Sequence, residues 1–140
     1  MLAPTDRNSR IALAKGWTWL DIPEMAEDAE GYAVSPLVLT HWRNPAGKPE
    51  LLPDWTGTLE GMAELMRELN ERAKARSQHW VWGSNVGGLV SGPRDGYYCA
   101  KHGLGGDYFK WFWSDKEHPG DCVDDAWLSV FEEESNAGAN

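Results

Sequence analysis

The sequence lacks any long apolar segment. No run approaches the roughly 18 apolar residues that a membrane-spanning helix needs. The polar residues 5–8 also follow the start too closely to leave room for the apolar region of a signal peptide. We therefore expect a protein that works inside the cell and does not bind a membrane.

Cysteine is scarce, with two residues, Cys99 and Cys122, in a chain of 140. They can form at most one disulfide, and in a cytosolic protein they are more often free thiols or metal ligands. The spacing Cys99-x₂-His102, followed by His118-x₃-Cys122, resembles a structural zinc arrangement. The alternative is two buried cysteines and two surface histidines, so a structural zinc stays one of two interpretations.

Recognised catalytic motifs are absent from the sequence. It contains no Gly-x-Ser-x-Gly, no His-Glu-x-x-His and no P-loop, and its four histidines are scattered. The carboxylates at 124–125 and 132–134 have the pattern of charge on a solvated helix. We expect a protein that is not an enzyme, and keep a small hydrolase with an unrecognised site as an alternative.

Positive charge is also in deficit, since 13 basic residues face 22 acidic ones and the formal net charge is −9. Nucleic-acid phosphates would be repelled, so we expect no non-specific binding to DNA or RNA. The same charge permits a basic protein partner or a DNA-mimicking surface.

The periodic segments that are present predict one α+β domain over residues 1–134 and a flexible polar tail over 135–140. Its antiparallel or mixed sheet of about five strands is sandwiched with a short N-terminal helix, a long central helix and a C-terminal helix. The predicted helices are 5–15, 58–76 and about 121–134, and the predicted strands are 16–21, 37–43, a short one around 50–52, 79–82, 97–101 and 108–114. Residues 23–31 read as a loop or weak helical turn.

The central helix is the clearest of these elements. Five apolar residues fall at helical spacing, which predicts a single face packed on a sheet. They are Leu59, Met62, Met66, Leu69 and Ala73.

Tryptophan is unusually abundant, with nine residues. Six of them form three Trp-x-Trp pairs, Trp17/Trp19, Trp80/Trp82 and Trp111/Trp113. Residues two apart on a strand share a face, so each pair lays two indoles side by side. The rings are either core or a stacking surface for a base or a protein side chain. We expect most to be core, and at least one pair to face away from the helices.

The glycine-rich segment 83–96 has two interpretations. Ser84, Asn85, Ser91 and Arg94 are positioned to meet an anion together with backbone N–H groups. A mobile connection between two strands is the structural alternative, and we favour it because no helix begins directly after the segment.

Three segments together resemble a known family. They are Ile11-Ala12-Leu13-Ala14-Lys15-Gly16-Trp17-Thr18-Trp19, then Leu52-Pro53-Asp54-Trp55-Thr56-Gly57-Thr58-Leu59 leading into the central helix, and a closing helix after the sheet. This pattern is similar to the phage ABA-sandwich domain proteins, small accessory proteins of bacteriophages and prophages. The resemblance implies a layered fold, a phage origin and a place in the host cytoplasm. It supplies no catalytic residue.

Two binding functions follow as expectations. The first is a phage inhibitor that binds a host protein of an antiviral defence or another host process. The second is a sponge for a nucleotide second messenger, in which indoles stack on bases and basic side chains meet phosphates, with a homo-oligomer as a further possibility. The predicted binding residues are Trp80, Trp82, Arg94, Tyr97, Lys101, Lys110, Trp111 and Trp113.

Overall fold

The computed structural model describes residues 3–27, 32, 37–85, 96–103, 105–106 and 108–138. The chain divides into two compact units, Met1–Asp54 and Trp55–Asn140. Over the described ranges there are three α-helices and five β-strands, and the strands form two antiparallel sheets. The predicted α+β class, with its central and C-terminal helices, is confirmed.

The first unit begins with helix α1 (Arg7–Ala14). The Asp6 carboxylate caps it, because it accepts hydrogen bonds from the backbone N–H of Ser9 at 3.3 Å and from the Ser9 hydroxyl at 2.7 Å. The chain then turns at Gly16, where φ is +96°, a conformation that favours glycine. The turn leads directly into the first strand.

Strands β1 (Thr18–Met25) and β2 (Leu39–Arg43) pair antiparallel, with Trp19 opposite Trp42. The register breaks between Trp19 and Glu24, and the pairing then resumes. The prediction of a loop from residue 23 is therefore wrong for 23–25. The strand passes through Pro23, because a proline is tolerated where a strand is irregular and its N–H is not needed. Ala26 and Glu27 lie outside any strand, and the rest of that prediction, 28–31, lies outside the described residues.

The short strand predicted around 50–52 is also wrong. The pairing continues through an isolated bridge between Arg43 and Pro49 and through hydrogen bonds from the N–H of Asn44 to Lys48 and from the N–H of Glu50 to Trp42, without a strand at 50–52. The turn that precedes it is held by Asn44, whose side-chain oxygen accepts the N–H groups of Ala46 and Lys48. The apolar core of this unit is Ile11, Ala12, Trp17, Ala26 and Trp42.

The second unit begins with the long helix α2 (Leu59–Lys74), capped by the Thr58 hydroxyl, which accepts the N–H of Gly61 at 3.0 Å. Its buried residues are Gly61, Leu65, Leu69 and Ala73. The buried face is therefore rotated from the predicted stripe toward Leu65, and Leu59 is 74% exposed. A periodic pattern fixes which residues share a face, but the packing partner decides where that face is centred.

Three strands follow in the order β3 (His79–Ser84), β4 (Tyr97–His102) and β5 (Tyr108–Ser114). Both pairings are antiparallel, as predicted for a meander. Gly96 immediately precedes β4, in a place where only glycine fits. A Cβ there would lie 2.3 Å from the carbonyl oxygen of Ser114.

Helix α3 (Asp121–Gly138) closes the unit and extends beyond its predicted end at 134. Helices α2 and α3 pack against each other and against the three strands. The core between them contains Trp80, Cys99, Val123, Ala126 and Trp127, all at most 3% exposed. Within the described ranges, no helix combines the length and apolar character that crossing a bilayer requires.

Candidate functional site

The helices lie on one face of the three-stranded sheet, which we call the covered face. Directly opposed residues of an antiparallel pair point to the same side, and Trp82 lies opposite Cys99. The sulfur of Cys99 is 3.9 Å from that of Met66 on α2, and the Trp82 indole donates to the carbonyl of Pro119 at 2.9 Å. Trp80 and Lys101, also opposed, share this face.

The other face of the same sheet carries six rings, and we call it the open face. His79 lies opposite His102, His102 opposite Tyr108, and Tyr98 opposite Trp113. Trp111 shares this side with Trp113, two residues further along β5. The open-face rings are therefore His79, Tyr98, His102, Tyr108, Trp111 and Trp113.

These rings are in continuous contact. Trp111 and Trp113 stack with centroids 5.4 Å apart and planes inclined by 9°. The Tyr98 ring lies 5.3 Å from Trp111 and 5.9 Å from Trp113. Tyr108 lies 5.6 Å from Trp111 and 4.8 Å from His102, which is itself 4.8 Å from His79. The contacts fix the rings relative to one another.

All six rings keep some access to solvent. Tyr108 is 46% exposed, His79 is exposed, and the other four are half-buried. Trp80, by contrast, is only 3% exposed on the covered face. Contiguous, part-exposed aromatic surface on a folded domain is typical of a recognition site.

A bulge in β5 brings Tyr108 and Trp111 to the same side. Residues three apart on a regular strand point to opposite faces. The register shifts opposite Ala100, and Lys110 has a φ of +54°, so one extra residue is inserted there. The bulge thereby extends the pair Trp111 and Trp113 into a longer surface.

A glycine lets Tyr98 lie against the sheet. Gly83 is directly opposite Tyr98 in the register. A Cβ at Gly83 would be 2.7 Å from the Tyr98 hydroxyl oxygen, so the ring occupies the space that a side chain would fill. The position of this ring therefore depends on residue 83 having no side chain.

A cavity of about 470 Å³ opens on the covered face. Its lining includes Trp80, Lys101 and Lys110, three of the predicted binding residues. It also includes Arg72 and Arg76, which the sequence analysis missed. The pKa of Lys101 is lowered, first by burial and then by the positive charges of Lys110 and Arg76.

The remaining predicted binding residues do not join that cavity. Trp82 and Tyr97 stack on each other at 5.2 Å, with planes 9° apart, elsewhere on the covered face. Trp111 and Trp113 belong to the open face. Arg94 and Ser91 lie outside the described residues. The seven described residues of the predicted site are thus distributed over both faces of the sheet.

The tryptophans follow the expectation that most are core. Five are at most 8% exposed, namely Trp17, Trp42, Trp55, Trp80 and Trp127. Trp17 precedes β1, while Trp19 is half-buried and stacks on His41 at 4.7 Å. The expectation that at least one pair faces away from the helices is confirmed by Trp111 and Trp113.

The structure does not assemble the four predicted zinc ligands. Cys99 points to the covered face and His102 to the open face, because they are three residues apart on a regular part of β4. His118 is paired with Asp115 at 2.9 Å. No group of three or more His, Cys, Asp or Glu side chains in the described ranges is arranged to hold a metal ion.

The two thiols are buried and free. Burial raises the pKa of Cys99 well above its usual range and raises the pKa of Cys122 to about 11. Both therefore stay protonated at neutral pH, which is the inert form of a cysteine.

Comparison with protein-family models, with curated proteins and with solved structures found no match for this chain. The resemblance to the phage ABA-sandwich proteins stays a prediction.

Proposed function

We propose that this protein acts by binding, and that its open face recognises a basic host protein. In this proposal it is a phage accessory protein that inhibits an antiviral defence or another process in the host cytoplasm. The observation that carries the proposal is the continuous contact of six part-exposed rings on the sheet face opposite both helices.

Packed rings favour tight recognition. Tryptophan and tyrosine supply large contact areas and dominate the energetics of many interfaces. Trp111 and Trp113 already rest on each other and on Tyr98. Their rotamer freedom is reduced before any partner arrives, so less entropy is lost on binding.

Charge supports a basic partner. The net charge of −9 attracts a positively charged protein and speeds its approach. At the contact itself, arginine and lysine side chains are drawn to the faces of indole and phenol rings. Among the described residues of the open face, four carry an indole or phenol ring and none carries a carboxylate.

The composition of the face favours binding over catalysis. Val81, Ala100 and Gly83 lie on the open face beside Tyr98. None of these three carries a polar side chain. The imidazoles of His79 and His102 lie against rings, at 4.8 Å from each other. The described residues of this surface offer contact area and include no nucleophile with an oriented base, the pair that a hydrolytic site needs.

A crosslinking experiment tests the partner directly. Tyr108, the most exposed of the four indole and phenol rings, is replaced by a photoreactive phenylalanine analogue, and the full chain is expressed in bacteria. Leu59, which is 74% exposed on α2, carries the same group in a control. We expect one basic protein to crosslink at position 108 and not at position 59. Equal crosslinking at both positions, or none at 108, contradicts the proposal.

The dissociation constant for the purified partner, identified by crosslinking, is then measured for the unaltered chain and for variants. Replacing two anchors in Trp111→Ala/Trp113→Ala should weaken binding by about 30-fold or more, while Leu59→Ala leaves it unchanged. Added salt should slow association, since opposite charges steer the encounter. In cells, the double variant should lose the protection of phage growth that the unaltered chain confers against the matching defence.

A further inference from the structure

The cavity on the covered face concentrates positive charge in an acidic protein. Arg72, Arg76, Lys101 and Lys110 line it, although the chain carries a net charge of −9. Among the described residues of the lining, none is acidic. The cavity therefore has a local charge opposite to that of the chain as a whole.

The four cations come from α2, the turn that follows it, β4 and β5. Arg72 lies in the last turn of α2, where a basic residue also suits the helix dipole, and Arg76 lies in the turn that follows the helix. Lys101 on β4 and Lys110 at the bulge of β5 lie on strands, where no helix dipole favours a basic residue. Their convergence on one cavity is a property of the tertiary fold.

The arrangement has an electrostatic cost. The lowered pKa of Lys101 reflects its burial and its repulsion by Lys110 and Arg76. Its ammonium group lies 5.2 Å from the Trp80 ring centre and 5.8 Å from that of Phe109. Within the described ranges, the structure shows no carboxylate paired with Lys101. An anion in the cavity would relieve the repulsion, because it would favour the charged form of each lysine.

The geometry separates charge recognition from base stacking. Trp80 is 3% exposed and Lys101 lies over its ring, so a nucleobase cannot stack there without displacing the ammonium group. The volume of about 470 Å³ falls within the usual range for small-molecule sites. A ligand would thus be held through its negative groups, in contrast to the stacking expected from the sequence.

We propose that this cavity binds a small ligand through a diphosphate or longer phosphate chain that bridges Lys101, Lys110 and the two arginines. The site is distinct from the open face and does not depend on the protein partner proposed above. The diphosphate group is the shared chemistry of inorganic pyrophosphate and of nucleoside diphosphates.

Titration calorimetry of the full chain at fixed ionic strength tests this with three probes: inorganic pyrophosphate, ADP and adenosine. We expect pyrophosphate and ADP to bind and adenosine not to. If ADP binds much more tightly than pyrophosphate, the natural ligand is a nucleotide. If the two affinities are similar, the natural ligand is a free phosphate chain. Binding of adenosine as tight as that of ADP, or no binding of pyrophosphate, would overturn the proposal.

Variants separate a ligand site from a structural role. Lys101→Gln/Lys110→Gln should weaken pyrophosphate binding by about tenfold or more, because charge-assisted contacts are lost. Lys48→Gln, on an exposed turn of the first unit, should not change it. The Tm of the unliganded double variant should not fall, since mutual repulsion is removed; a purely structural role would lower it.

Two further variants keep the test decisive. If the double variant fails to fold, Arg76→Gln at an exposed position gives the same comparison. Trp111→Ala/Trp113→Ala should bind pyrophosphate like the unaltered chain, so failure of the open-face proposal leaves this one intact. Unchanged affinity in both cation variants would overturn the phosphate site.

Discussion

The two faces of the three-stranded sheet both carry tryptophan, which forms buried core on one face and part-exposed surface on the other. On the covered face, Trp80 is 3% exposed beneath two helices. On the open face, Trp111 and Trp113 stack on each other and remain half-buried. Both sets arise from a Trp-x-Trp pair on a strand, so spacing alone does not decide their role. The placement of the helices does.

The buried core of the second unit and the open face also differ in how their indole N–H groups are satisfied. The Trp127 indole donates to the Glu68 carboxylate at 2.9 Å, and the Trp55 indole donates to Glu64 at 2.5 Å. Buried indoles require such acceptors, and α2 supplies them. Open-face rings instead contact other rings and solvent. Packing in the core therefore determines the residues of the covered face, whereas the residues of the open face remain available to contact a partner.

The largest expected effect separates the two faces by stability. Trp80→Ala should lower the free energy of unfolding by about 3–5 kcal/mol, because it leaves a cavity in the core. Trp111→Ala should cost about 1 kcal/mol, since mainly ring contacts are lost. Urea unfolding of both variants checks the comparison. Equal losses in the free energy of unfolding would contradict the assignment of Trp80 to the core and of Trp111 to the surface.

Gly96→Ala tests the start of β4. The new Cβ would lie 2.3 Å from a backbone oxygen of Ser114, which cannot move without distorting β5. We expect a loss of about 1–3 kcal/mol in the free energy of unfolding. Thermal unfolding measures it, and a variant as stable as the unaltered chain would contradict this packing.

Asn70 connects α2 to the edge strand of the covered face. Its side chain accepts the N–H of Trp80 at 2.6 Å and donates to the carbonyl of the same residue at 3.3 Å. Asn70→Ala should cost about 1–2 kcal/mol in urea unfolding, because two hydrogen bonds are lost. Glu71→Ala, at the exposed neighbouring position, is the control and should change little.

Gly83→Ala should perturb the open face with less effect on stability. The methyl group displaces the far end of the Tyr98 side chain, which can move, so we expect a loss below about 1 kcal/mol. The near-ultraviolet circular dichroism of the ring cluster should change, and affinity for the partner should fall. An unaltered spectrum would show that Tyr98 does not lie against Gly83.

Thiol labelling probes the covered face without changing it. The raised pKa of Cys99 and Cys122 keeps both thiols largely protonated, so native labelling should be much slower than labelling in urea at every pH from 7 to 9. In urea the thiols regain an ordinary pKa of about 8.5, and labelling should accelerate with pH. Fast native labelling would show that the covered face is open.

Regular periodicity made much of the fold predictable. Apolar residues at helical spacing predicted α2, and alternating aromatic segments predicted β3, β4 and β5. Local irregularity was not predictable from one sequence. The segment from Pro23 was predicted as a loop although β1 continues to Met25, and the bulge at Lys110 reversed the alternation that would have separated Tyr108 from Trp111.

The candidate sites were predictable only in part. The pair Trp111 and Trp113 followed from spacing two, and Lys101 and Lys110 from their charge. Sequence alone could not show that Arg72 and Arg76 reach the same cavity, because that depends on packing between a helix and a sheet. Strand alternation was available to separate Cys99 from His102, and applying it would have removed the predicted zinc quartet.

Hydroxyl-radical footprinting of the native chain, read by mass spectrometry, tests the difference between the two faces most directly. Oxidation of Tyr108, Trp111 and Trp113 should proceed readily, while Trp80 and Trp127 react only after unfolding. Protection of Trp111 and Trp113 equal to that of Trp80 would show that those rings are enclosed, and recognition through the open face would then be ruled out.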